Sequence, residues 1–197
     1  CTRTRCSVPW IFRSIPLLED TYDIIAPDYP PLDSMTALAD GLVGLLDALE
    51  IDTVNVLSGS FGGMLAQVLV HRHPKRIGKL ILSTTTAPDA TSVQNYTDQL
   101  AMVQGLDDET LAQVAQQTML ETMQVSDDDK AFWRAYLAEL YEARLNKAHI
   151  VTTYEAIVEF MRMSFAPDDL NNWHQSGGEM LILKSDDDST FGNDAQQ

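Results

Sequence analysis

Apolar and polar positions along this chain change period several times, and each change marks an element. Residues 22–28, YDIIAPD, form a short apolar run closed by Pro27 and Asp28, which predicts a buried strand running into a loop. Met35, Leu38, Leu42, Leu45, Leu46 and Leu49 then recur at spacings of three and four, with Asp40, Asp47 and Glu50 interleaved. That spacing gathers the apolar side chains into one stripe and predicts an amphipathic helix, with Asp33 or Ser34 as its cap. Residues 53–58, TVNVLS, predict a second strand, residues 61–73 a helix stopped by Pro74, and residues 79–83, KLILS, a third strand.

Strands alternating with helices of about a dozen residues need crossover connections, so this part reads as α/β, a mostly parallel sheet with flanking helices. From about Pro88 to Trp173 no strand-like run survives. Repeated helical patterns there carry Met102, Met119, Met123, Met161 and Met163 at apolar positions, read mainly as core filling. Residues 178–185, GEMLILKS, return to strand character and lead into three aspartates. The expected organisation is a core with its reactive turn over 1–87, a helical cap over 88–176, and a late core strand with an acidic loop over 177–197.

Composition narrows the chemistry. A chain of 197 residues, 45% hydrophobic, can build one substantial core. Its 13 Lys and Arg against 29 Asp and Glu give a net charge of −16, which repels polyanions, so neither nucleic acid nor an anionic membrane surface is an expected partner. Cys1 and Cys6 are the only cysteines, too few for a disulfide framework. The scattered His71, His73, His149 and His174 suggest no metal site, and no cofactor is expected. The start CTRTRCSVPW has no apolar signal core, which makes the expected location cytoplasmic. The uncharged stretch between Asp52 and Arg72 is broken by Asn55, Ser58, Ser60, Gln67 and three glycines, and so predicts strand, turn and helix, not a membrane span.

Within that stretch, Ser60 sits where strand passes into helix, fenced by small residues in SGSFGG. A serine nucleophile needs exposure at the carboxyl end of a strand, rigid support and nearby N–H groups for a developing oxyanion. A sharp strand-to-helix turn supplies all three if the residues two positions away are small, here Ser58 and Gly62, with Gly59 and Gly63 adding room. The segment resembles the G-x-S-x-G nucleophile elbow of the α/β-hydrolase superfamily, with Ser58 in place of the first glycine. The likeness runs from about Trp10 to Gln197 in family order, through YDIIAPDYP, the elbow, HPKRIGKLILS, a helical cap and a late strand ending in acids.

The resemblance implies a serine hydrolase acting on a small ester, amide or related acyl substrate, with Ser60 as nucleophile and the Phe61 N–H as one oxyanion donor. For the acid it points to Asp188, with Asp186 and Asp187 as close competitors and Asp89 ranked second. The family's histidine should follow the acid, yet no histidine follows Asp188, and no HG dipeptide precedes Trp10. The expectation is therefore an internal piece of a larger hydrolase, nearly inert alone. The alternative is a non-catalytic hydrolase-fold protein acting through protein partners, as the similarity to maspardin-like members implies. Dehalogenases and epoxide hydrolases of this fold carry aspartate at the position of Ser60 and are disfavoured. Met and aromatic residues of the cap, among them Phe132, Trp133, Tyr136, Tyr154 and Phe160, are expected to line an apolar pocket over Ser60.

Overall fold

The computed structural model describes residues 14–122, 127–143 and 145–184. It falls into two compact units, Cys1–Pro30 and Pro31–Gln197. The first contains a single-turn helix, α1 (Ile15–Leu18), and then an irregular segment. The strand expected over residues 22–28 does not form, and Tyr22, Ile24 and Ile25 are exposed. A short apolar run becomes a strand only when a neighbour supplies its ladder of hydrogen bonds, and the local pattern cannot show whether one does.

The second unit follows the predicted alternation. Helix α2 (Met35–Ala48) starts at Ser34, whose Oγ accepts from the Ala37 N–H, and buries Met35, Leu38, Ala39 and Leu46. Strand β1 (Val54–Gly59) passes directly into α3 (Ser60–Arg72), and β2 (Ile77–Ser83) follows a short 3-10 turn at Pro74–Arg76. Then come α4 (Val93–Gly105), α5 (Asp108–Thr122), α6 (Lys130–Ala143), α7 (Lys147–Met161), α8 (Pro167–Gln175) and β3 (Glu179–Leu183). The three strands form a parallel sheet in the order β1-β2-β3.

The sheet's register matters for everything downstream. Gly59 pairs with Ser83, and Ser83 with Leu183, so all three strands end level. Helix α3 packs on β1 and β2 and on α2, α7 and α8, and Met64, Leu65, Ala66, Val68, Leu69 and Val70 are buried, as are Ile77, Leu80 and Leu82 of β2. Helix α2 packs on α3, and a fork from Arg72 to both oxygens of Asp40, with His73 Nε2 at 2.7 Å from the same carboxylate, ties the C-terminal end of α3 to α2. These bonds hold the Asp40 carboxyl below the usual aspartate value of 3.8, Arg72 contributing most.

The helices after β2 are not an independent layer. α7 packs against α4 and also reaches α2 and α3, while α8 packs against α3. Trp173 of α8 donates its indole N–H to the Ile77 carbonyl at 2.8 Å, and a Cβ on Gly178 would lie 2.2 Å from the Trp173 ring. Glycine there lets β3 begin close under the indole. At the other end of α4, the Lys147 ammonium donates to the Gln104 and Leu106 carbonyls, satisfying groups that a helix leaves unpaired at its C-terminus. Among the described residues, no helix is long and apolar enough to cross a membrane.

One tertiary cap links the early helix to the late ones. Glu159 of α7 accepts from the Ser34 hydroxyl at 3.1 Å and from the Met35 N–H, so its carboxylate lies at the positive end of α2. Replacing Glu159 by alanine is expected to destabilise the fold by about 1–2 kcal/mol. Urea unfolding measures this as a lower midpoint at unchanged slope, and an unchanged midpoint would show that the cap contributes nothing.

Candidate active site

The level strand ends place Ser60 and Thr84 side by side, one residue past Gly59 and Ser83. Both have positive φ, 50° at Ser60 and 44° at Thr84. Side chains other than glycine pay roughly 1–2 kcal/mol for this left-handed region, and a β-branched threonine there is a true outlier. Strain of this kind survives only where surrounding contacts over-determine the backbone.

Those contacts come from three neighbouring segments. The Ser60 N–H donates to the Thr84 carbonyl at 2.9 Å, and the Thr85 hydroxyl donates to the Ser60 carbonyl at 2.9 Å. Thr84 in turn donates its N–H to the Leu183 carbonyl at the end of β3, at 3.3 Å. Gln67 of α3 reaches back with Nε2 to the carbonyls of Gly63 (3.2 Å) and Thr86 (2.8 Å). Ser58, nearly buried, donates its hydroxyl to the Gly62 carbonyl at 3.0 Å, closing strand onto helix.

Gly63 is needed for a different reason from Ser58. A Cβ at Gly63 would stand 2.6 Å from both Cβ and Oγ1 of Thr85, closer than atoms of a packed interior approach. Ser60 itself is exposed, at the N-terminal end of α3, whose first-turn amides, Phe61 among them, give that end its positive partial charge. The structure thus brings together Ser58, Ser60, Phe61, Gly62 and Gly63 in one turn. It adds Thr84, Thr85 and Gln67, which the sequence reading missed. The run TTT directly after an apolar strand was the available signal, since polar residues at a strand's carboxyl end lie where sites in parallel sheets form.

Of the candidate acids, Asp186, Asp187 and Asp188 lie outside the described residues. Asp89 caps the short turn Ala90–Ser92, accepting from the Thr91 N–H at 2.9 Å and from the hydroxyls of Thr91 and Ser92. The Thr91 hydroxyl, then the Ser92 hydroxyl and the Thr91 N–H, hold its carboxyl below the ordinary range. Its oxygens are engaged locally.

The four histidines are each engaged in structural contacts. His71, with a side chain 7% exposed, stacks on Phe165 at 3.8 Å between ring centroids and sits 3.2 Å from an Asp169 oxygen. His71 and His73 lie at the end of α3 remote from Ser60, roughly 16–20 Å along the axis. His149 completes the reciprocal cap of α7 with Asn146, and His174 Nδ1 lies 2.9 Å from the Gly178 carbonyl, at the sheet's opposite edge.

The expected aromatic pocket needs correction. Phe160 is fully buried and packs near Phe165 at 6.1 Å, and Trp133 is also buried, so these two fill the interior. Phe132, Trp133 and Tyr136 cluster with one another on α6. Burial raises the phenol pKa of Tyr96, Tyr141 and Tyr154, with Tyr154 adding a smaller upward push to the other two. The methionines divide: Met161 is buried, but Met102 and Met119 are exposed. Among the described residues no group of three His, Cys, Asp or Glu could hold a metal ion.

The sequence pattern of the alpha/beta hydrolase fold matches residues 4–196, and the chain belongs to that family. It is similar to 2-hydroxymuconate semialdehyde hydrolase of Pseudomonas sp. (strain CF600), 37% identical over 78 residues, covering 34% of this chain and 28% of the relative. It is also similar to 2-hydroxy-6-oxononadienedioate/2-hydroxy-6-oxononatrienedioate hydrolase 1 of Dechloromonas aromatica (strain RCB), 28% identical over 163 residues, covering 80% of this chain and 53% of the relative. The chain thus spans between about a quarter and about half the length of these two relatives. Among solved structures, a probable hydrolytic enzyme from Pseudomonas aeruginosa superposes with a TM-score of 0.65 at 19% identity, covering 92% of this chain and 61% of that one. A meta-cleavage product hydrolase from Pseudomonas fluorescens complexed with acetates superposes with a TM-score of 0.62 at 17% identity, covering 94% and 69%. At such identities the superpositions speak for the fold.

Two stability measurements test the geometry of the turn. Gly63→Ala is expected to destabilise by roughly 1–3 kcal/mol, because neither Thr85 nor the helix can retreat without losing a hydrogen bond. Ser60→Gly should instead stabilise by up to about 1 kcal/mol, the left-handed cost being relieved in part against glycine's greater freedom when unfolded. A less stable Ser60→Gly protein in urea unfolding would mean that the serine is not strained.

Proposed function

We propose that this member of the alpha/beta hydrolase fold family is a serine hydrolase in which Ser60 is the nucleophile and the Phe61 N–H one oxyanion donor. The observation that carries the reading is an exposed serine at φ 50°, held at the carboxyl end of a parallel strand and the start of a helix. A turn selected for compactness alone would relax that strain by placing glycine at this position.

In this reading, Ser60 Oγ attacks the carbonyl carbon of the substrate, a base accepts the hydroxyl proton, and the carbonyl oxygen becomes an oxyanion facing the Phe61 N–H. Collapse expels the leaving group, which takes up the proton, and water then attacks the acyl-serine to release the acid. The contacts of His71, His73, His149 and His174 support assigning the base to none of them in this arrangement, and Asp188 remains the proposed acid. The relatives' names include hydrolases of 2-hydroxymuconate semialdehyde, a poly(3-hydroxyalkanoate) depolymerase and esterases. We take the substrate class to be a small ester or related acyl compound, with α4 to α7 as the cap that would select it.

The test is covalent labelling of the protein at its natural full length with a fluorophosphonate, followed by peptide mass spectrometry. The adduct is expected on Ser60, and Ser60→Ala should abolish it and lower ester turnover by a factor on the order of 10⁶. A folded full-length protein that takes no label at Ser60 would overturn the catalytic reading and leave the maspardin-like binding role, which partner capture would then have to establish.

A further inference from the structure

We propose that Thr85 is a positioning residue for the oxyanion donor, acting through the peptide plane between Ser60 and Phe61. The inference rests on the reading of Ser60 and Phe61 given above and deepens it. The Ser60 carbonyl and the Phe61 N–H belong to one peptide unit, which is planar, with the two groups pointing in opposite directions. Whatever fixes the carbonyl therefore aims the N–H. The Thr85 hydroxyl donates to that carbonyl at 2.9 Å.

The neighbouring plane is held by the preceding residue of the same segment. The peptide unit ahead of Ser60 carries the Ser60 N–H, which donates to the Thr84 carbonyl at 2.9 Å. Consecutive residues Thr84 and Thr85 thus fix the planes on both sides of the serine, the minimum needed to define its φ and ψ. The segment is itself anchored, by Thr84 N–H to Leu183 on one side and by Gln67 to the Thr86 carbonyl on the other. Placement of Thr85 also explains Gly63: the space a Cβ would fill is the space that the Thr85 Cβ and hydroxyl occupy. A hydroxyl bonded to a peptide carbonyl further polarises that amide, making its N–H the better donor to a negative oxygen.

The structural and positioning roles of Thr85 separate in a substitution series. Thr85→Ser keeps the hydroxyl and loses the methyl, Thr85→Ala loses both, and Thr85→Val keeps the shape without the donor. In the full-length protein, the rate constant for fluorophosphonate labelling of Ser60 is measured for each, alongside the melting temperature. We expect Thr85→Ser to stay within about threefold of the parent, while Thr85→Ala and Thr85→Val fall roughly tenfold. That is less than the ~10²–10³ lost when an oxyanion donor is removed outright, because the Phe61 N–H remains and is only misaimed. If Thr85→Val fails to fold, the Ala and Ser pair still isolates the hydroxyl, since both are smaller than threonine and neither crowds Gly63. Equal rates for Thr85→Ala and Thr85→Ser would overturn the inference while leaving Ser60 as nucleophile. If the parent itself takes no label at Ser60, the nucleophile has been misassigned, and the positioning role falls with it.

Discussion

The structure turns on a single backbone constraint, the left-handed conformation of Ser60 where β1 ends and α3 begins. A strand and the helix that folds back on its own sheet can be joined with no intervening loop only if one residue reverses the chain abruptly. That residue has to accept an unfavourable φ. The cost, of order 1–3 kcal/mol, is a sizeable part of a typical domain's net stability, so it has to be offset by contacts concentrated nearby. They are concentrated there: Ser58 to Gly62, Ser60 to Thr84, Thr85 to Ser60, and Gln67 to Gly63 and Thr86.

Packing makes this arrangement rigid. Helix α3 is buried along most of its length, apart from its exposed first residue and its polar end, because one face meets the sheet and others meet α2, α7 and α8. A helix so enclosed cannot roll to relieve its first turn. The Arg72 fork onto Asp40 and the His71 stack on Phe165 hold its opposite end. Of the histidines, His71 and His73 therefore help hold the end of α3 opposite Ser60.

Much of this could be read from the chain because the relevant features are local. The three-and-four spacing of Met35 to Leu46 gave α2, with Ser34 proving to be its cap out of the two candidates Asp33 and Ser34, and the small residues around Ser60 gave the turn within a residue of where it lies. Features that depend on a distant partner left no periodic trace. Residues 22–28 have a strand's composition, but composition does not supply a neighbour to pair with. Glu159 capping α2 across 124 positions, and Thr85 bonded to Ser60 across 25, are choices of single polar residues that no hydrophobic period records. Phe160 was misplaced for a related reason. By pattern alone an aromatic on a helical stripe faces a cavity or a neighbouring helix equally well, and Phe160 lies in the interior.

Strand β3 shows how the sheet and the site are one problem. Met180, Leu181, Ile182 and Leu183 are 45–56% exposed, so hydrophobic burial alone gives a weak account of why β3 is held where it is. Its position is set by backbone pairing with β2 from Lys79 to Ser83, by the Lys79–Glu179 ion pair at the start of the strand, and by Gly178 admitting the Trp173 ring beside it. A slip of one residue would turn every side chain to the other face and also remove the Leu183 carbonyl from the Thr84 N–H. Thr84 would then lose the bond that holds its own unfavourable φ, and with it the carbonyl to which Ser60 donates. The register of β3 is thus transmitted through one strained threonine to the strained serine.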